Sequence, residues 1–417
     1  MRKVSSRARN IPKSPIRELQ PLIETAKKKG KQVHQFHIGQ PDLHTPSEFL
    51  KGITGSEINI IPYTDSRGIE ETIQLLIQYY RKHAIELNSE NVCLTCGGSE
   101  ALQFALKAVL ERGEQIIIPE PFYSNYRSFA QMEEVEIVPI PTSLKNGFSL
   151  PPPEEISDLV SSRTTAILLN NPSNPTGRVY TPKEVKWLEE IALSNDLYLI
   201  SDEPYREFIY GDYPIVSPLA RDTVSDRVVM VDSISKRFNA CGARIGVIAS
   251  YNDDLMDAIL RMAQARLAPP TLGQLGLASL LKSDVYQEKI EETRKEYQRR
   301  ITQFTELISS IPKVKFSKPQ GAFYLILELP IRDSLNFVKW LIQDFESEGE
   351  TISVTPARGF YQTPGRGASQ VRVSLVKGGE VLRRSTEILE EALQSYIDKG
   401  EPSATVESQK KKSHIKH

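Results

Sequence analysis

Lys236 closes the segment Asp232-Ser233-Ile234-Ser235-Lys236, where a β-branched run ends and two hydroxyls and an amine project from a turn. Open α/β sheets hold their ligands at the carboxyl ends of strands. A lysine amine placed there can form a Schiff base with an aldehyde. Arg244 follows eight residues later, in Gly242-Ala243-Arg244-Ile245-Gly246. With Ser233 and Ser235 beside it, its guanidinium could hold a phosphate as a forked donor. A loop lysine near a surface arginine is the plain alternative, and this segment alone does not decide between them.

Three other segments share the same setting. Gly97-Gly98-Ser99-Glu100-Ala101-Leu102 follows the run Val92 to Cys96 and opens a helical pattern. Glycines there let backbone approach a ligand, and the free N–H groups of a helix start suit a phosphate. Asn170-Asn171-Pro172-Ser173-Asn174-Pro175-Thr176-Gly177 is a loop stiffened by two prolines, which present Asn174 rigidly as a donor. Ser201-Asp202-Glu203-Pro204-Tyr205 ends another apolar run. A carboxylate buried at Asp202 needs a cationic partner or loses its charge, and Tyr205 could reach the same ligand. Singly, each has an ordinary reading: a glycine turn with Ser99 as N-cap, a rigid connector, a turn-capping aspartate. Together they place an amine, a carboxylate, an amide and a phosphate cradle after separate strands, and so on one edge of a sheet.

The elements that must position them are legible. Nearly continuous apolar runs at Gln115 to Ile118, Val135 to Ile140, Ala166 to Asn170, Leu197 to Ser201, Val228 to Asp232 and Ile245 to Ser250 predict strands covered on both faces. Helical patterns alternate with them; one starts at Thr181-Pro182, with Thr181 as N-cap. The expected fold is α/β: a large domain with a mainly parallel sheet flanked by helices, plus a smaller α+β domain. The smaller domain is expected from a long charged helix (Asp284 to Ser310), a strand (Ala322 to Glu328), a helix (Leu335 to Ser347), a strand (Val371 to Leu375) and a helix (Gly379 to Asp398). The expected boundaries are 46–285 for the large domain, 1–45 with 286–400 for the small one, and 401–417 as a disordered polar tail.

Composition narrows the function classes. The net charge of -1, from 52 basic and 53 acidic residues, gives no reason to expect nucleic acid or an anionic membrane as partner. No run reaches the roughly 18 apolar residues of a membrane span. The basic start, Met1 to Asn10, lacks the apolar core of a secretory signal. Three cysteines do not make a disulfide framework, and a reducing, cytoplasmic setting fits. Cys93-Leu94-Thr95-Cys96 has redox or zinc spacing, but its pattern is strand-like and no second pair exists. His34 and His37 read as ordinary side chains, and no metal is expected.

These motifs, with Ile38-Gly39-Gln40-Pro41-Asp42, Thr45-Pro46, Tyr63 to Gly68, Pro121 to Tyr126 and Val371-Arg372-Val373-Ser374, resemble those of the class I/II aminotransferases. These are fold-type I enzymes of pyridoxal 5'-phosphate (PLP), a fold that implies a mainly parallel, seven-stranded sheet in the large domain, and the chain resembles their aspartate aminotransferase-like members. The likeness runs from about Pro15 to about Lys399. The resemblance implies that Lys236 carries the cofactor and shuttles the proton. It implies that Asp202 pairs with the pyridinium nitrogen and that Asn174 and Tyr205 hold the phenolate oxygen. Tyr123 would stack on the ring, with Gly98, Ser99, Ser233, Ser235 and Arg244 on the phosphate. Tyr63 would reach the neighbouring subunit's phosphate, so a homodimer with shared sites is implied. Arg372 would fork onto the substrate α-carboxylate beside the Gly39 backbone.

The resemblance further implies ping-pong transfer of an amino group from an amino acid, aspartate favoured, to a 2-oxo acid such as 2-oxoglutarate. Arg266 is a candidate for a distal carboxylate or for an interface salt bridge, and Arg17 is a second candidate of that kind. Ala357 stands where many members have glycine, and Arg358 beside it faces substrate or solvent. Two rivals share the fold. One is a carbon–sulfur β-lyase using the same catalytic groups; the other is a non-catalytic regulator, against which the complete set of groups speaks.

Overall fold

A computed structural model of the chain describes residues 3–55 and 59–402. Seven strands form the large sheet: β1 (Val92–Cys96), β2 (Gln115–Glu120), β3 (Glu136–Pro141), β4 (Thr164–Asn170), β5 (Tyr198–Asp202), β6 (Val228–Ser233) and β7 (Ile245–Ala249). Their order is β1-β7-β6-β5-β4-β2-β3. The strands are parallel except β7, which runs antiparallel to both β1 and β6.

The apolar runs are strands because both faces are covered. Along β2 and β4, Ile117, Ile167 and Leu169 enter one core, while Ile116, Ile118, Ala166 and Leu168 enter another on the opposite face. Period-two alternation of that kind requires helices on both sides. One is Pro182–Ser194, where Thr181 caps the Glu184 N–H at 3.2 Å and Pro182 takes the first helical position.

The orientation of β7 matters to the site. Because it runs against its neighbours, Arg244, just before it, lies at the same sheet edge as the carboxyl ends of β1, β4, β5 and β6. One reversed strand thereby adds a guanidinium to an edge that parallel strands alone would supply only from their ends.

The smaller unit is a four-stranded antiparallel sheet of Thr355–Pro356, Gln370–Ser374, Tyr324–Glu328 and Lys315–Phe316, in that order. The helices Tyr286–Ile308, Ser334–Gln343 and Gly379–Asp398 accompany it. Its core draws in Leu19, Ile23 and Phe36 from the beginning of the chain, and Gln32–Gln35 pairs in parallel with Glu350–Ser353.

Two expectations change. The helix expected to reach Ser347 stops at Gln343. Phe345 folds back so that its N–H meets Trp340 O at 3.1 Å, and Glu348 and Gly349 take positive φ (53° and 79°), which a helix cannot accommodate. The polar tail does not begin at Glu401: its carboxylate accepts the Arg332 N–H at 2.9 Å. Positions 403–417, with the expected disordered tail, lie outside the described residues. No described helix is long and apolar enough to cross a membrane.

Candidate active site

Lys236 stands on the one-turn helix Ile234–Arg237, which begins where β6 ends. The turn is clamped on both sides. Asp232 accepts the Ser233 N–H at 2.7 Å and Arg237 Nη2 at 2.6 Å, and Tyr80 donates to it at 2.8 Å. The Lys236 amine donates to Gly39 O at 2.8 Å and lies 3.7 Å from Cys241 Sγ. Burial lowers its pKa, as do the charges of Arg372 and Arg244, against the opposing influence of Cys241. A lowered pKa leaves more of the amine neutral and nucleophilic.

Asp202 ends β5, the neighbouring strand, and is 6% exposed. Burial pushes its carboxyl up to about 7, and Asp232 and Glu203 add to that, although the Tyr126 hydroxyl donates to it and opposes the rise. A carboxyl so placed needs a cation to ionise fully. A protonated ring nitrogen meets that need, so the residue fits the role expected of it.

The loop after β4 holds Asn174 by its backbone N–H, donated to Asn170 Oδ1 at 2.7 Å. The peptide bonds before Pro172 and Pro175 are cis. Asn174 Oδ1 accepts from Arg372 Nη1 at 3.2 Å, which leaves its amide N–H groups to donate elsewhere. Tyr205 is 5% exposed, and its hydroxyl lies 3.0 Å from that of Tyr324.

Arg372, 1% exposed, comes from the strand Gln370–Ser374. Its guanidinium lies between the rings of Tyr324 and Phe360, 4.8 and 5.0 Å from their centroids. Nη2 donates to His37 O at 2.5 Å, while Nε is buried without a partner. A buried guanidinium with no carboxylate against it among the described residues suits an incoming anion. His37 is buried as well and held down to about 4 by that burial and by Arg372, so it is neutral.

The residues expected to cradle a phosphate gather around Gly97, where φ is +77° and a Cβ would stand 2.2 Å from Arg244 Nη2. Only glycine fits there. The helix Gly98–Val109 follows. Ser233 Oγ donates to Ser235 Oγ at 2.9 Å, and Gly98 and Ser99 are partly exposed. Arg244, in the left-handed region at φ 56°, donates to Cys241 O at 3.0 Å and Cys96 O at 3.3 Å. Two hydroxyls, a helix start and a guanidinium gathered at one sheet edge have the chemistry that suits a phosphate group.

Other expected residues fall in different surroundings. Tyr123 is partly exposed, accepts from Asn125 Nδ2 at 2.9 Å, and meets Tyr126 edge-on. Tyr63 is 79% exposed. Arg266 spends its donors within the chain: 2.7 Å to Glu100 Oε2, 2.9 Å to Ser66 O and 3.3 Å to Leu94 O. The same Glu100 oxygen takes the Cys96 N–H at 2.7 Å, so Arg266 braces the start of the phosphate helix. Arg17 is exposed, and its charge is felt at His37 and Tyr123. Arg358 pairs with Asp333 at 3.4 Å. Cys93 and Cys96 lie three apart on β1 and so on opposite faces; burial pushes Cys93 up to about 11. His34 contacts Glu350 at 3.3 Å.

Sequence reasoning assigned no role to Tyr126, Tyr324, Phe360 or Cys241. Tyr126 left a trace three residues after Tyr123 at a helix start, and Phe360 closes the segment Thr355 to Phe360, which resembles the family's loop near the substrate mouth.

Residues 32–381 match the family Aminotransferase class I and II. The chain is 30% identical to the aspartate aminotransferase of Pyrococcus horikoshii, over 94% of this chain and 97% of that one. It is 28% identical to a probable aspartate/prephenate aminotransferase of Aquifex aeolicus, over 94% and 100%. Among solved structures, aspartate aminotransferase from Thermus thermophilus with maleate superposes with a TM-score of 0.86 at 24% identity, covering 94% of this chain and all of that one.

Proposed function

Because the chain belongs to the class I and II aminotransferases, a family of PLP enzymes, and is a transaminase, we propose that Lys236 holds PLP and that aspartate is the favoured amino donor. A 2-oxo acid such as 2-oxoglutarate is the acceptor, and the two half-reactions alternate in ping-pong order. The observation that carries this reading is a pair on adjacent strand ends: an amine made less basic by burial at Lys236 and a carboxyl raised by burial at Asp202.

The bound cofactor supplies an aldehyde for amines and a protonated ring that takes up the electron pair left by a departing α-proton. The chain's own residues do the rest. Lys236 would anchor the cofactor, and its amine, when free, would move the substrate's α-proton. Asp202 keeps its charge against the ring nitrogen, which keeps that nitrogen protonated. Asn174 and Tyr205 hold the phenolate oxygen. Gly98, Ser99, Ser233, Ser235 and Arg244 hold the phosphate, and Tyr123 covers the ring. Arg372 forks onto the α-carboxylate beside Gly39, its direction fixed by Asn174, His37 and two rings.

Aspartate preference is supported by the names of several relatives. Arg266 would have to leave Glu100 to read a distal carboxylate, whereas Arg17 is exposed near Tyr123. A homodimer with shared sites fits the exposure of Ile60, Ile61, Tyr63 and Leu267, at 78, 59, 79 and 52%.

The test is direct. Borohydride reduction of the PLP-loaded protein should fix the cofactor on Lys236, and aspartate alone should convert the visible band to that of the aminated cofactor. A colourless folded protein with no adduct at Lys236 would end the reading. Pyruvate and ammonia released without an oxo acid would redirect it to a lyase.

A further inference from the structure

The Tyr324 hydroxyl has no role in the account so far, yet the side chain touches three parts of the site. It opens the strand Tyr324–Glu328 and pairs with Ser374. The Arg372 guanidinium lies over its ring at 4.8 Å. Its hydroxyl crowds Gly39 so closely that a Cβ there would stand 2.0 Å from the oxygen. The carbonyl of that same Gly39 takes the Lys236 amine at 2.8 Å. The third contact is the Tyr205 hydroxyl, 3.0 Å away.

Each hydroxyl has one proton to give and lone pairs to receive. If Tyr205 gave its proton to Tyr324, it would turn lone pairs toward the phenolate oxygen that it is proposed to hold. Only the opposite polarity frees the Tyr205 proton for the cofactor. The surroundings favour that polarity. Arg372 lies against Tyr324 and makes its hydroxyl the better donor, whereas Asp202 and Tyr123 near Tyr205 make that hydroxyl the better acceptor.

We infer that Tyr324 is a positioning residue whose hydroxyl donates to Tyr205 and thereby aims the Tyr205 proton at the cofactor's phenolate oxygen. The inference rests on the reading of Tyr205 proposed above. A chain of two hydroxyls polarises along its length, so the second bond strengthens the first. The bland alternative is ring packing, since Tyr324 also meets Tyr205 edge-on at 5.5 Å and Phe323 at 4.7 Å. Phenylalanine keeps that packing and removes only the oxygen, so Tyr324→Phe separates the two.

The holoenzyme is titrated from about pH 5 to 10 while the visible band of the lysine-bound cofactor is followed. A hydroxyl donating to the phenolate oxygen competes with the linkage proton for that oxygen and favours loss of the proton. Weakening the donor therefore raises the midpoint. Tyr324→Phe should raise it by about 0.3–1 unit, the range open to one neutral hydrogen bond, and lower kcat several-fold. In a Tyr205→Phe background the same change should move the midpoint no further, because the route is already cut. A wild-type midpoint in Tyr324→Phe, or an equal shift in both backgrounds, overturns the inference. Absence of a lysine-bound band in the unaltered protein would instead defeat the function reading itself.

Discussion

Replacing Asp202 by asparagine should stabilise the cofactor-free protein and weaken the loaded one. Without a cation beside it, the Asp202 carboxyl ionises at about 7 in the folded chain, against 3.8 as an ordinary side chain. Below pH 3.8 it is protonated in both states. Between 3.8 and about 7 the folded state alone keeps the proton, so the folded state gives up stability steadily as pH rises through that window. The gap is worth roughly 4 kcal/mol by pH 8, taken at full value. Asparagine has no charge to desolvate, and its amide oxygen can still accept from Tyr126. The stripped Asp202→Asn variant should therefore outlast the stripped parent in urea at pH 8, by one to several kcal/mol, roughly, and the difference should shrink toward pH 4. With PLP bound the order should reverse, since the ring nitrogen loses its counter-charge. Cofactor release, followed by absorbance after dilution, should then be faster in the variant. A stripped variant that is less stable at pH 8, or a difference indifferent to pH, would refute the burial argument for Asp202.

Arg372→Lys keeps the charge but loses the fork, and should lower kcat/KM for amino acid substrates about 10–100-fold, the worth of one charge-assisted hydrogen bond; single-turnover decay of the cofactor band checks it. Cys241 is partly exposed while Cys93 is buried with its thiol pushed up to about 11, so iodoacetamide should modify Cys241 well before Cys93. Peptide mapping reads the order, and loading with PLP should slow the reaction at Cys241. Glu120, fully buried, takes the N–H groups of Gln362 and Thr363 at 2.8 and 2.9 Å and Arg366 at 2.9 Å. Glu120→Ala should cost about 3–5 kcal/mol, seen as a lower melting temperature, and should raise KM, because the same loop carries Phe360 under Arg372.

The strands were readable because burial on both faces leaves a run with hardly a polar residue, as in Ala166 to Leu169. The cofactor half of the site was readable for a related reason: its residues follow those runs at once, and a chain that leaves a sheet edge has few places to put them. Contacts made at long range were not readable. Nothing local tells Gln32 that it will pair with Glu350, or Arg266 that Glu100 will claim it. The helix expected to reach Ser347 shows the same gap at its end, because Phe345 turning back on Trp340 is a tertiary choice. Tyr324 was silent because its apolar neighbours in Phe323 to Leu327 look like any core strand; what sets it apart is a hydroxyl whose partner lies 119 residues away.

The site is built from two halves of different origin, and that division assigns different jobs to different mutations. Lys236, Asp202, Asn174 and the cradle around Gly97 stand on the ends of one sheet, fixed by the same register that packs the two cores. Arg372 and Tyr324 come from the antiparallel sheet, Phe360 from the turn after its strand Thr355–Pro356, and His37 and Gly39 from the segment that follows Gln32–Gln35. Among the bonds that join the halves are Lys236 to Gly39, Arg372 to Asn174, and Tyr205 to Tyr324. A change within the first half should act on cofactor affinity and colour. A change within the second should act on KM and substrate choice with the colour intact. Residues at these three bonds should move both, because there displacement of one sheet against the other alters what the cofactor feels. Tyr324 belongs to that set without being assigned a contact to cofactor or substrate of its own, which makes its oxygen a clean probe of whether the halves communicate.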